Sequence, residues 1–359
     1  MRIVEVREHA LPISRYADPA VPPGGLTTSA VAVITDVIRG GHPVIGYGFA
    51  SMGRFAQGGL IRERFAPRLL AAREGDLVDQ AGTNLDPFRA GRLMMAGEKP
   101  GGHGERCVAV GTLDMALWDA AAKIAGVPLY RHLADRLGQI EMTSPQIAVY
   151  AGGGYYYPTD DVGRLSDEIR GLRDLGYHRV KIKIGGAPLR QDLKRIDAAA
   201  RLLPDASHLA VDAIYSYTST SSLEAADALA PLGLWWFEDI CDPLDFETLA
   251  AVAARYAGPI AAGEALFSTA EAKLLDRYAG LRPTEISCCS IPSTVMGFPA
   301  TWRLSKCSKR AAGRGLHFGR TAGISSVCTV CRRLRFSSNP MPGTVGGSVA
   351  PTTTLISSP

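Results

Sequence analysis

The chain has 359 residues, 46% hydrophobic and 21% charged, with a formal net charge of +4. That length exceeds one ordinary domain, and the balance is that of a soluble globular protein with a sizeable core. No apolar run reaches membrane length, and the opening MRIVEVREHAL has no basic-then-apolar signal segment, so a cytoplasmic protein is expected.

In chain order, residues 1–140 read as an α+β domain. IVEVREHAL, SAVAVITDVI and PVIGYGFAS have strand character, with Gly40 and Gly41 turning between the last two. In VAVGTLDMALWDAAAKIAG, the residues Leu113, Ala116, Leu117, Ala120, Ala121 and Ile124 share one helical face. Gly126 stands where that helix would stop, and Met115 and Trp118 are expected to pack. From residue 141 to 285 strands and helices alternate. The strands are QIAVYAGG, HRVKIKIGG, HLAVDAI, LWWFEDI and GPIAAGEAL, with helical text such as LRQDLKRIDAAARLL and FETLAAVAARY between them. Apolar strands in repeated βα units imply a parallel sheet covered by helices. So many units in a row favour a (β/α) barrel over an open sheet.

Lys181 and Lys183 lie two apart on one strand, so both side chains point to the same face. Two neighbouring ammonium groups lower each other's pKa, and desolvation adds to that, which makes a neutral lysine base attainable near pH 7. Asp212, Glu238 and Glu264 each end an apolar strand, 26 residues apart both times. One βα unit per interval sets three carboxylates on consecutive strands. Buried together they repel unless a cation sits among them, and an all-oxygen donor set selects a hard ion such as Mg²⁺. A metal-polarised substrate carboxylate makes the α-proton acidic through an enediolate, with Lys183 as base and Lys181 facing the developing charge.

At KIK, at the Asp212/Glu238/Glu264 triplet and at GTLDMALWDAAAKIAGVPLY the chain resembles the enolase superfamily, in its mandelate racemase and muconate lactonizing branch. The resemblance covers residues 1–285. It implies a (β/α)7β TIM-like barrel behind an N-terminal capping domain, a Mg²⁺ cofactor and a homo-oligomer. EKPGGHGER, GYGFASMGRFAQGGLIRERFAPRLL and YAGGGYYYP are similar to the D-tartrate dehydratase group, which implies a hydro-lyase turning D-tartrate into oxaloacetate. Another acid-sugar dehydratase or racemase, or an inactive carboxylate- and Mg²⁺-binding protein, remains the alternative. Carried over position by position, Lys183 is the α-proton base, Lys181 its electrostatic partner, Lys99 a partner for a substrate carboxylate and Tyr155 a pocket residue. There are departures: Ala50 and Met52 stand where the tartrate group has asparagines, and Ile214 replaces the Asn that follows its VDA.

Residues 286–359 have a different composition. They hold nine Lys/Arg and no Asp or Glu, and five of the seven cysteines, while the first 285 residues hold 30 basic and 35 acidic groups. The family's PHGGHQ, whose first His is the general acid, corresponds here to RTAGIS, with Thr321 in place of the His. Back-translated and read one base earlier, HFGRTAGISSVCT can become LRPHGGHQLCLH. The tail therefore reads as a frame-shifted version of the last barrel strands, with no fold assigned to it. Cys328 and Cys331 lack a second ligand pair at zinc-finger spacing, and Arg332, Arg333 and Arg335 form no nucleic-acid-binding motif.

Overall fold

Alternating apolar residues in the first strands build an antiparallel sheet. The computed structural model describes residues 1–12, 27–50, 56–102, 104–138, 149–281 and 352–355. These fall into two compact units, one within Met1–Pro145 and one within Gln146–Ser290 that also includes the strand Thr352–Leu355.

In the first unit, β1 (Ile3–Pro12), β2 (Thr27–Arg39) and β3 (His42–Phe49) pair in that order. Gly40 and Gly41 make the β2–β3 turn at φ +57° and +81°, a conformation open to glycine at no steric cost. Helices α1 (Pro87–Met94), α2 (Gly104–Ala125) and α3 (Leu129–Leu137) follow. Helix α2 has the expected face: Leu113, Ala116, Leu117, Ala120, Ala121 and Ile124 join the core made with Val31, Val33 and Val44 of the sheet. Its other side is buried too, because Met115, Trp118 and Ala122 pack against Leu129, Leu133 and Leu137 of α3. A helix covered on both sides shows no single apolar stripe, so the sequence pattern captured half of its packing.

Two glycines on β3 let this helix lie against the sheet. A Cβ on Gly46 would come within 1.9 Å of the Ala116 carbonyl oxygen, and one on Gly48 within 2.3 Å of that of Thr112. Both obstacles are backbone and cannot swing aside. Gly46→Ala is therefore expected to lower stability by about 1–3 kcal/mol or more, read as a drop in the circular-dichroism melting temperature. A melting curve that superimposes on the wild type would refute this contact.

In the second unit, β4 (Val149–Gly152), β5 (Val180–Lys183), β6 (Leu209–Asp212), β7 (Trp236–Glu238) and β8 (Ile260–Ala261) are neighbours in sequence order and pair in parallel. Helices α4 (Asp161–Asp174), α5 (Leu189–Ala200), α6 (Ser219–Leu229), α7 (Phe246–Arg255) and α8 (Thr269–Tyr278) alternate with them. Each amphipathic helix buries one stripe, as in α4 with Leu165, Ile169 and Leu172. The strands between them are buried almost throughout, as a parallel sheet covered by helices requires.

The remaining strands of a (β/α)7β barrel would fall in residues 282–351, outside the described residues, as do Met52, Thr321, Cys328 and Cys331. Part of the tail, to which the sequence assigned no fold, does form structure. Thr352–Leu355 is a strand, β9, antiparallel to β4 with Val149 opposite Leu355. Among the described residues no helix is long and apolar enough to cross a membrane.

Candidate active site

Strand register decides which side chains meet. Lys183 lies opposite Asp212, and Asp212 opposite Glu238, so the ends of β5, β6 and β7 line up. Lys181 and Lys183 share a face, as period-two geometry demands, and both reach the same carboxylate. Asp212 Oδ2 lies 2.9 Å from Lys181 Nζ and 2.5 Å from Lys183 Nζ. Lys181 also donates to Glu238 Oε1 at 2.6 Å, and the Trp236 indole N–H donates to Glu238 Oε2 at 2.7 Å. The Ile214 backbone N–H holds the other Asp212 oxygen at 3.0 Å.

Glu264 behaves differently from its sequence spacing. Glu238 pairs with Ala261, so Glu264 comes three residues past the register position, after a turn at Gly263 with φ +115°. Equal spacing in sequence did not become equal height on the sheet, because β8 ends early. The carboxylate oxygens that lie within 4.8 Å of one another belong to Asp212, Glu238 and Asp239. Glu264 stands close enough for its charge to act on Lys181, Asp212, Glu238 and Asp239.

Charge sets the protonation preferences of the cluster. Burial works to lower the Lys181 pKa, but Glu238 and Asp212 outweigh it and hold the ammonium well above its usual range. This reverses the sequence expectation for Lys181, since neighbouring carboxylates counter the like-charge effect. Burial raises Asp212, yet Lys181 and Lys183 bring it below the usual carboxylate range. Glu238 and Glu264 are raised by burial, against the pull of Lys181. Asp239 is raised well above its usual value by burial and then by Glu264 and Glu238. Its oxygens meet no donor at normal hydrogen-bond geometry among the described residues, and the Tyr215 phenol lies beside them.

Four carboxylates thus face two ammonium groups. A divalent cation with oxygen ligands fits such a set, because it supplies the missing positive charge where Asp239 has no partner. Ile214, Tyr215 and Asp239 all take positive φ, at +47°, +60° and +46°. Left-handed backbone at three non-glycine residues, all in the loops after β6 and β7, is strain concentrated beside the carboxylates.

A second layer holds the loops around Lys183. The Gly154 carbonyl accepts from the Lys183 backbone N–H at 3.3 Å and from Arg195 Nη2 at 2.6 Å. Arg195, on α5, is fully buried, pairs with Asp161 and stacks over the Tyr156 ring at 4.1 Å. Asp192 on the same helix accepts from the Tyr156 hydroxyl at 2.5 Å and from the Gly185 N–H at 2.8 Å. Burial together with Asp192 pushes the Tyr156 hydroxyl far above its usual pKa, so it stays a donor. The loops after β4 and β5 are tied together in this way.

Of the residues expected from the sequence, Lys181, Lys183, Asp212 and Glu238 are in contact. The half-exposed Tyr155 ring lies 5.6 Å from Lys183 Nζ. Lys99 is exposed in the first unit, its carbonyl held by Arg106 at 2.7 Å. Sequence reasoning missed Asp239, Trp236, Asp192 and Arg195. The signal for Trp236 was available, since it sits two residues before Glu238 and so shares its face. Arg195 gave none, because on a helix it reads as a solvated charge.

Residues 164–278 match the family described as enolase C-terminal domain-like. The chain is 29% identical over 168 residues to an arabinonate dehydratase of Saccharolobus solfataricus, covering 47% of this chain and 43% of that protein. It is also 29% identical over 243 residues to an L-talarate/galactarate dehydratase of Salmonella typhimurium, covering 67% and 57%. The chain thus spans about half the length of the curated relatives it matches. Among solved structures, an L-talarate dehydratase from Polaromonas sp. JS666, complexed with Mg and L-glucarate, superposes with a TM-score of 0.65 at 24% identity, over 87% of this chain and 78% of that one. Parallel βα units, strand-end carboxylates beside a lysine pair, and a matched family across the same strands lead to one assignment: the chain belongs to the enolase superfamily.

Proposed function

We propose that the second unit performs Mg²⁺-dependent α-proton abstraction on a hydroxy or sugar acid, in the service of a dehydratase. The observation that carries this reading is the contact of Lys181 and Lys183 with the aligned carboxylates of Asp212 and Glu238. Asp212 and Glu238, with Asp239 and Glu264 beside them, would hold the ion. Bound Mg²⁺ supplies charge that draws electron density from a substrate carboxylate and acidifies its α-proton.

The chain's own residues divide the rest. Lys183, less buried than Lys181 and next to the half-exposed Tyr155, is the group that takes up the α-proton. Lys181, held as an ammonium by two carboxylates, faces the negative charge that then develops. Trp236 and the Ile214 N–H keep Glu238 and Asp212 oriented. Lys99 is proposed to pair with a substrate carboxylate, and the protein to act as a homo-oligomer. Relatives that dehydrate sugar acids support this class of substrate. The finer reading, D-tartrate to oxaloacetate, rests on the motifs of residues 98–106 and 151–158.

Loss of hydroxide needs an acid, and the motif position for it carries Thr321. Proton exchange is therefore expected to outrun dehydration. The full chain is incubated in D₂O with Mg²⁺ and either D-tartrate, galactarate or arabinonate, and proton NMR follows the α-hydrogen and the keto acid. Deuterium at the α-carbon with little keto acid is the expected result. Efficient turnover of D-tartrate would sink the broken-acid reading and support the finer substrate. Neither exchange nor turnover with any of the three acids would refute the proposed chemistry.

A further inference from the structure

We infer that Trp236 limits Glu238 to offering one oxygen to a metal ion, and thereby sets the preference of the site for a small octahedral ion over calcium. The inference rests on the metal reading above and concerns how this chain tunes that site.

The two oxygens of Glu238 are held differently. Oε2 accepts the Trp236 indole N–H at 2.7 Å, and Oε1 accepts Lys181 Nζ at 2.6 Å. The ammonium has three donors and a second carboxylate at hand, Asp212 at 2.9 Å, so it can release Oε1 without stranding a proton. The indole has one donor and no such alternative. Trp236 is fully buried, and a buried N–H without an acceptor is costly.

The ring is also pinned in place. Trp236 lies opposite Ala210 across the sheet, whose small side chain leaves room for it. Its ring meets Tyr150 edge-on at 5.1 Å and lies 4.0 Å from the Trp235 ring. Rotating the indole away from Glu238 would break this packing. Oε2 is thus committed, and Oε1 is the oxygen left for a cation.

Ion chemistry supplies the consequence. Mg²⁺ takes single oxygens in a strict octahedron and keeps its waters, whereas Ca²⁺ gains from carboxylates that give both oxygens. A Glu238 restricted to one oxygen disfavours calcium by withholding a ligand. Removing the indole N–H frees Oε2 and lifts that restriction.

The test uses isothermal titration of the metal-stripped full chain with MgCl₂ and, separately, CaCl₂. Two altered proteins are compared with the wild type: Trp236→Phe, and a protein carrying benzothienylalanine at 236, which keeps the ring shape but lacks the N–H. Trp235→Phe serves as the control, since Trp235 stacks nearby without touching Glu238. In both altered proteins the Mg²⁺-over-Ca²⁺ affinity ratio is expected to fall by about 10-fold, the lower end for loss of an outer partner of a metal ligand. The control keeps the wild-type ratio. If Trp236→Phe does not fold, the benzothienylalanine protein decides. A wild-type ratio in that protein overturns the inference while leaving the metal reading intact. A wild type that binds neither ion sinks the metal reading, and the inference with it.

Discussion

Replacing Lys183 by alanine is expected to slow solvent deuterium exchange at the substrate α-carbon by about 10²–10⁴-fold, the range that a positioned general base contributes. The expectation follows from where the side chain sits. Lys183 ends β5 at the aligned strand ends, beside Tyr155, and touches one carboxylate. Lys181 is deeper, spans Asp212 and Glu238, and is held as an ammonium. The two lysines should therefore fail differently. Lys183→Ala should retain Mg²⁺ binding and lose exchange, whereas Lys181→Ala should also disturb metal affinity, since it leaves two buried carboxylates without their shared cation. Exchange by proton NMR and metal affinity by calorimetry separate the two. Undiminished exchange in Lys183→Ala would remove it from the role of base.

Arg195→Met is expected to destabilise the fold by about 3–5 kcal/mol, the usual loss when one partner of a buried ion pair is removed. The guanidinium is fully buried, pairs with Asp161, holds the Gly154 carbonyl and stacks on Tyr156. Methionine can fill much of the volume but leaves Asp161 and that carbonyl without their donor. Urea unfolding measures the loss, and a change below about 1 kcal/mol would mean that the network contributes little, as exposed pairs do. The Gly154 carbonyl also receives the Lys183 N–H, so any folded Arg195 variant should loosen the β4 and β5 loops together.

Much of the fold was legible because it is periodic. Alternation marked β1 to β3, and repeated βα units marked β4 to β8, since each element must bury one face and its period records which. The lysine pair was legible for the same reason: residues two apart on a strand share a face. Helix α2 was half legible, because burial on both sides erases the stripe that a sequence pattern detects. Arg195 and Asp192 were not legible at all. Their meaning depends on Tyr156 and Gly154, about 40 residues away in the chain, meeting α5 in space.

The sequence by itself determined the parallel strand–helix order, the lysine pair, the carboxylates at three strand ends and the contrast between the tail and the rest. These are local facts, set by spacing and side-chain type. Only the tertiary structure decided that Asp239 joins Asp212 and Glu238 while Glu264 falls three residues out of register, because β8 is shorter than its neighbours. It also decided the direction of the Lys181 pKa. Two lysines two residues apart suggest mutual repulsion, but strand pairing brings carboxylates to 2.6 and 2.9 Å, and the nearer opposite charges win.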